Sequence, residues 1–247
     1  MGEKMPRSRT STAEGRIVIT GTGRAGTTFL VQLFTVLEFD TGFSRTEALV
    51  GIDGIACAGL ERKLLDDANP YVIKSPGFAD HLMTALEARR IKIRVAIVPM
   101  RDLFDAAESR RRVFRLALKA GHDPLSHPGS LIRTHRFDEE EWQLARQFYD
   151  SIFPLVRFNI PVVLLYFPRL VQDPDYLFRA LNHIMAEHGV DRSTFVSAFA
   201  DVSRPEVVHD FSAGDADTMR LDRGVRLRVL LNRLRAKARR TLPFLPD

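Results

Sequence analysis

Residues 16–37, RIVITGTGRAGTTFLVQLFTVL, open on a short β-branched run, pass into a glycine-rich turn and end in an apolar helical pattern. Strand, glycine-rich turn and helix N-terminus in that order make an anion site. Backbone N–H groups converge there and the helix dipole favours negative charge. Gly21, Gly23 and Gly26 coincide with the paired hydroxyls of Thr27 and Thr28, which is more than a tight reversal requires.

Outward from this turn, three more β-type runs follow: 71–74 (YVIK), 93–99 (IRVAIVP) and 161–167 (PVVLLYF). They are rich in Val and Ile and nearly continuous, as strands covered on both faces are. Helical patterns over 27–37, 79–90, 103–120, 138–156 and 174–188 alternate with them. The alternation predicts an α/β, three-layer fold with a central parallel sheet flanked by helices. Residues 121–136 (GHDPLSHPGSLIRTHR) read as a long inserted loop, the kind that forms lids or binding loops. Its His122, His127 and His135 have no helical i,i+4 pairing and no cysteine partners, so they read as exposed loop histidines rather than a metal site.

Three nucleotide-binding patterns compete for the turn. Gly21, Gly23 and Gly26 satisfy the dinucleotide pattern G-x-G-x-x-G, and Asp40 lies 19 residues after Gly21. That acid should close a second strand, whereas VLEFD (36–40) reads as a continuation of the helix. Gly21, Gly26 and Thr28 also fit the triphosphate loop G-x-x-x-x-G-K-[ST], but Thr27 stands where the lysine belongs. Losing that lysine argues against phosphoryl transfer from ATP. The turn instead carries its cation at Arg24.

The third strand ends in Pro99-Met100-Arg101, with Asp105 and then Ser109 following along the next helix. A guanidinium and a hydroxyl so placed suit a phosphate monoester. Arg24-Ala25-Gly26-Thr27-Thr28 together with this R-x-x-x-D-x-x-x-S pattern resembles the sulfotransferases that use 3′-phosphoadenosine 5′-phosphosulfate (PAPS). In that family a K/R-S-G-T-T loop holds the 5′-phosphosulfate, and the Arg and Ser hold the 3′-phosphate. Ala25 departs from the family's serine. Lys74-Ser75-Pro76 and Tyr166-x-x-x-Leu170-x-x-Asp173-Pro174 resemble further family segments, so the likeness covers residues 16 to 176. The C-terminal R-K-G-x-x-G loop of members acting on small phenols and steroids is absent, which favours the bacterial, carbohydrate-type or protein-type branches.

The resemblance implies PAPS as co-substrate, no metal, and a hydroxyl-bearing small molecule or glycan as acceptor. It implies donor contacts from Gly23, Arg24, Ala25, Gly26, Thr27, Thr28, Arg101 and Ser109. Arg24 would cover the leaving phosphate, and Lys74, at a strand's carboxyl end, would reach the sulfonate. The family's K-T-H histidine falls on Pro76. Glu47, 23 residues past Arg24, is the first candidate for the base that takes the acceptor's proton, with His81 and Asp53 in reserve. The acceptor pocket is expected between residues 43–60 and the 121–136 loop. A P-loop kinase and a non-catalytic nucleotide-binding adapter remain the alternatives.

The chain has 247 residues, 45% hydrophobic and 27% charged, which excludes a wholly disordered or fibrous protein. Its longest apolar runs are far short of the ~20 residues of a membrane span. The single cysteine, Cys57, excludes an internal disulfide. Residues 1–15 read as a flexible leader without a secretory pattern, so a cytoplasmic location is expected. Residues 16–220 read as the donor-binding domain and 221–247 as a basic amphipathic helix or tail. The net charge of +5 is local: nine Lys/Arg and one Asp fall within 220–240, leaving 27 basic and 30 acidic residues elsewhere. Leucines on one face of 224–240 and arginines on the other suit peripheral contact with an anionic membrane. No aromatic residues interleave with these arginines, which argues against nucleic-acid binding.

Overall fold

The computed structural model describes residues 15–132, 134 and 136–204. The leader, His135 and the basic C-terminal strip lie outside the described residues. Four strands form one all-parallel sheet: β1 (Arg16–Ile19), β2 (Val72–Lys74), β3 (Ile93–Met100) and β4 (Val162–Tyr166). Their order is β2-β1-β3-β4. Register is fixed by Ile17 opposite Val72 and Ala96 opposite Val162.

Alternation along the strands assigns the two faces. Ile17, Ile19, Val95 and Ile97 join one buried cluster with Leu30, Leu33 and Phe34 of α1 (Thr27–Val36). Phe195 and Phe199 of α9 (Arg192–Val202) close the same side. Val18, Ile73, Ala96 and Val98 point the other way, onto Leu82 and Leu86 of α3 (Leu82–Glu87) and Leu155 of α5 (Glu140–Arg157). Helices therefore cover both faces, as a three-layer α/β arrangement requires. The remaining described helices are α2 (Arg45–Val50), α4 (Leu103–Lys119), α6 (Arg169–Gln172), α7 (Pro174–Ala180) and α8 (Asn182–Glu187). None of the described helices is long and apolar enough to cross a membrane.

Several boundaries differ from the expected ones. The pattern over 79–90 divides into a 3-10 turn, Pro76–Asp80, and the shorter α3. Ser75 caps the turn, accepting the Gly77 N–H, and Arg89 enters the left-handed region (φ 51°) just past α3. The pattern over 174–188 breaks at Leu181 into α7 and α8. Helix α1 stops at Val36, and Glu38 turns left-handed (φ 65°), so 36–40 leaves the helix. Asp40 then accepts the Val72 N–H through its carbonyl, tying this segment to β2. Strand β4 is an edge strand with Leu164 and Tyr166 exposed, although its apolar run reads as covered on both faces. Helices α2, α6 and α9 are too short, or too weakly periodic, to stand out in the sequence.

Phe34 is fully buried and packs edge-to-face on Phe39 at 4.9 Å, at the point where α1 leaves the sheet. Phe34→Ala should lower stability by about 3–5 kcal/mol, read as a reduced urea midpoint with an unchanged denaturant slope.

Candidate active site

The 21–28 turn is built on left-handed backbone. Gly21, Gly23 and Gly26 have φ of 126°, 69° and 85°, and Arg24 joins them at 57°. At Gly26 the requirement is also steric, since a Cβ there would lie 3.0 Å from Leu170 Cδ1. Gly26 is the N-cap of α1, and no side chain caps that end. The first amides of α1 thus open onto a cavity of about 600 Å³ whose walls include Gly23, Gly26, Thr27 and Thr28. That volume lies within the ~300–1,000 Å³ usual for small-molecule sites.

Arg24 folds into the wall rather than out to solvent. Its Nε donates to Ser109 Oγ at 3.0 Å, and its guanidinium also donates to the Ala56 carbonyl. Arg101 follows β3, where Asp102 accepts the Asp105 N–H and so starts α4. Its guanidinium lies over the Phe167 ring (4.8 Å) and donates to the Arg24 carbonyl at 3.3 Å. The two motifs, 85 residues apart, therefore meet in one contact.

Lys74 ends β2 and is 1% exposed. Its ammonium donates to Thr28 Oγ1 (3.2 Å), the Gly59 carbonyl (2.8 Å) and the Glu61 carboxylate. Burial lowers its pKa and Glu61 works against that shift. Burial also pushes Arg24 and Arg110 down to about 10, which leaves both cationic at neutral pH. Arg110 donates to the Thr22 and Ser130 carbonyls and stands 3.5 Å from the fully buried Glu140. Burial raises Glu140, and Arg110 opposes that.

Among the described lining residues, Arg24, Lys74, Arg101, Arg110 and Arg204 stand against two carboxylates, Glu61 and Asp80. The excess is positive and set in a low-dielectric wall, where an anion gains most. Ile52, Cys57 and Ala58 line one side and His127–Ile132 another, the two segments expected around an acceptor. Among the described residues no group of three or more His, Cys, Asp or Glu is placed to hold a metal.

Of the expected residues, Gly23, Arg24, Gly26, Thr27, Thr28, Lys74, Arg101 and Ser109 all line this cavity. Ala25 is fully buried beside them. Glu47 and His81 are not among the lining residues. Glu47 is exposed on α2, where its carboxylate accepts the Ser44 N–H at 2.7 Å in a capping box. That backbone hydrogen bond holds its pKa below the ordinary value. His81 is exposed at the junction of the 3-10 turn and α3. Asp53 is occupied structurally, its Oδ1 accepting the Ile55 and Ala56 N–H groups at 3.0 and 2.6 Å. His127 corrects the reading of the loop histidines as exposed: its side chain is only 8% exposed.

Arg110, Glu61 and Gln147 are lining residues that the sequence reading passed over, and Ser130 was expected only as part of the 121–136 loop. Only Arg110 carried a signal, as the residue directly after Ser109. No family model matches the chain, and no curated protein does.

Glu140 is the countercharge that makes Arg110 tolerable inside. Glu140→Ala should cost about 3–5 kcal/mol of stability, as losing one partner of a buried pair does. Chemical denaturation checks this, and a loss under about 1 kcal/mol would mean water reaches Arg110.

Proposed function

We propose that this chain is a P-loop sulfotransferase, moving a sulfonate from PAPS to a hydroxyl of a carbohydrate, lipid-linked or natural-product acceptor. The observation that carries this is the meeting of the two phosphate motifs at the Arg24–Ser109 hydrogen bond, with Arg101 alongside. Two anion sites side by side suit a ligand with two phosphate groups on one ribose better than a linear triphosphate. The position of the triphosphate-binding lysine holds Thr27, which speaks against the kinase alternative.

In this reading the amides of Gly26, Thr27 and Thr28, with both threonine hydroxyls, hold the 5′-phosphate at the positive end of α1. Arg101 and Ser109 hold the 3′-phosphate. The acceptor oxygen attacks sulfur in line, and the electron pair of the breaking S–O bond goes to the 5′-phosphate. Arg24 offsets the charge that develops there, and Lys74, whose three N–H groups are taken by Thr28, Gly59 and Glu61, orients the Thr28 hydroxyl. Fixed cations in a buried wall act without reorganising during the reaction.

Calorimetry should show adenosine 3′,5′-bisphosphate binding without Mg²⁺ and more tightly than Mg·ATP; preference for Mg·ATP would overturn the reading. Arg101→Ala should weaken bisphosphate binding by about 1.5–3 kcal/mol, roughly tenfold to a hundredfold, and leave adenosine 5′-phosphate nearly unaffected. Equal losses for both ligands would remove the 3′-phosphate assignment.

A further inference from the structure

Glu47 and His81 both stand outside the cavity wall, so the proton of the acceptor hydroxyl needs another destination. The cavity holds one imidazole among its described lining residues, His127. Its side chain is more than nine-tenths buried, and its Nε2 has no hydrogen-bond partner. Nε2 is closed off on the side of Asp53, which leaves Nδ1 as the nitrogen that a ligand in the cavity can meet. Ser130 Oγ and Gln147 Oε1 are likewise buried without a hydrogen-bond partner among the residues that line the cavity.

Two contacts fix His127 relative to the phosphate loop. Asp53 Oδ1 lies 3.8 Å from Nε2, beyond a hydrogen bond but close enough to offset an imidazolium. The same carboxylate oxygen holds the Ala56 amide, and the Ala56 carbonyl accepts from Arg24. Two residues after His127, Gly129 is left-handed (φ 73°) and approaches Arg24 so closely that a Cβ there would lie 3.4 Å from Arg24 Cδ. The histidine thus sits on a segment pressed against the cation at the phosphate loop.

Resting on the sulfotransferase reading, we infer that His127, backed by Asp53, is the general base of the transfer. The acceptor O–H gives its proton to Nδ1, while Nε2–H stays turned to Asp53, as the acceptor oxygen bonds to sulfur. The S–O bond to the 5′-phosphate breaks with its electron pair on the phosphate. The imidazolium then faces Asp53 and releases its proton to solvent after the products leave. Water is the simplest acceptor, and its reaction yields sulfate, the bisphosphate and two protons, one taken by the imidazole and one lost from the hydrogensulfate first formed.

The test compares two acceptors of different acidity. With labelled PAPS, His127→Asn and His127→Gln should slow sulfate release to water by about 100-fold or more, the usual contribution of a positioned base. Transfer to 4-nitrophenol at mildly alkaline pH, where its hydroxyl is already ionised, should change by no more than about threefold. Bisphosphate affinity should be retained in both variants. Equal losses in the two reactions, or no loss in either, would overturn the base assignment while the donor reading stands. Bisphosphate binding with no transfer to either probe would also overturn it, leaving a binding protein with no base to assign. A wild-type chain that binds no bisphosphate overturns the donor reading itself, and the base falls with it.

Discussion

The site is organised by one half-buried cation in an unfavourable backbone conformation. Arg24 sits at φ 57°, a region that costs a non-glycine residue about 1–2 kcal/mol. Its guanidinium is largely withdrawn from water, which pushes its pKa down to about 10. Both costs are borne because the residue ties three segments together, two through its side chain and one through its carbonyl. Ser109 brings in α4, the Ala56 carbonyl brings in the 51–60 segment, and the Arg24 carbonyl accepts from Arg101 at the end of β3. Gly129 completes the enclosure: a Cβ there would touch the Arg24 side chain at 3.4 Å and crowd Ala56 Cβ at 3.1 Å.

A second cation, Arg110, repeats the arrangement one layer deeper. It fastens the Thr22 carbonyl to the Ser130 carbonyl, joining the glycine-rich turn to the 121–136 loop, with Glu140 of α5 as its countercharge. The long loop is therefore anchored from below at Ser130 and from the side at Gly129. Such anchoring explains how a proline- and glycine-rich insertion, without helix or strand over most of its length, presents a buried imidazole at a defined place. Rigid placement of this kind is what proton transfer in a closed site demands.

The parts legible in the sequence are those whose physics is local. A strand, three glycines and a helix start within thirteen residues announce a strand-turn-helix unit, and the arginine at a strand end and the serine on the next helix line the same cavity as that turn. The continuous apolar runs likewise announced a parallel sheet. Partnerships across the chain were not legible: Arg110 with Glu140 is a contact between two helices thirty residues apart, and Lys74 with Glu61 joins a strand to an irregular segment. His127 lies in a loop without periodicity, so nothing near it in the sequence marks it as buried. Glu47 is different, because its local pattern was readable. Ser44-x-x-Glu47 before Ala48, Leu49 and Val50 is a capping box, which assigns that carboxylate to a helix end rather than to the cavity. Edge position is also invisible from one strand alone, which is why β4 reads as more enclosed than it is.

The proposed chemistry requires one geometric arrangement: the glycine-rich turn and the Arg101–Ser109 pair would bind two phosphates of a single nucleotide. A crystal structure with adenosine 3′,5′-bisphosphate tests it most directly. The account predicts the 5′-phosphate on the amides of Gly26, Thr27 and Thr28 and the 3′-phosphate on Arg101 and Ser109, both within hydrogen-bonding distance. A bisphosphate whose 3′-phosphate points to solvent, or whose 5′-phosphate lies away from the start of α1, would contradict it.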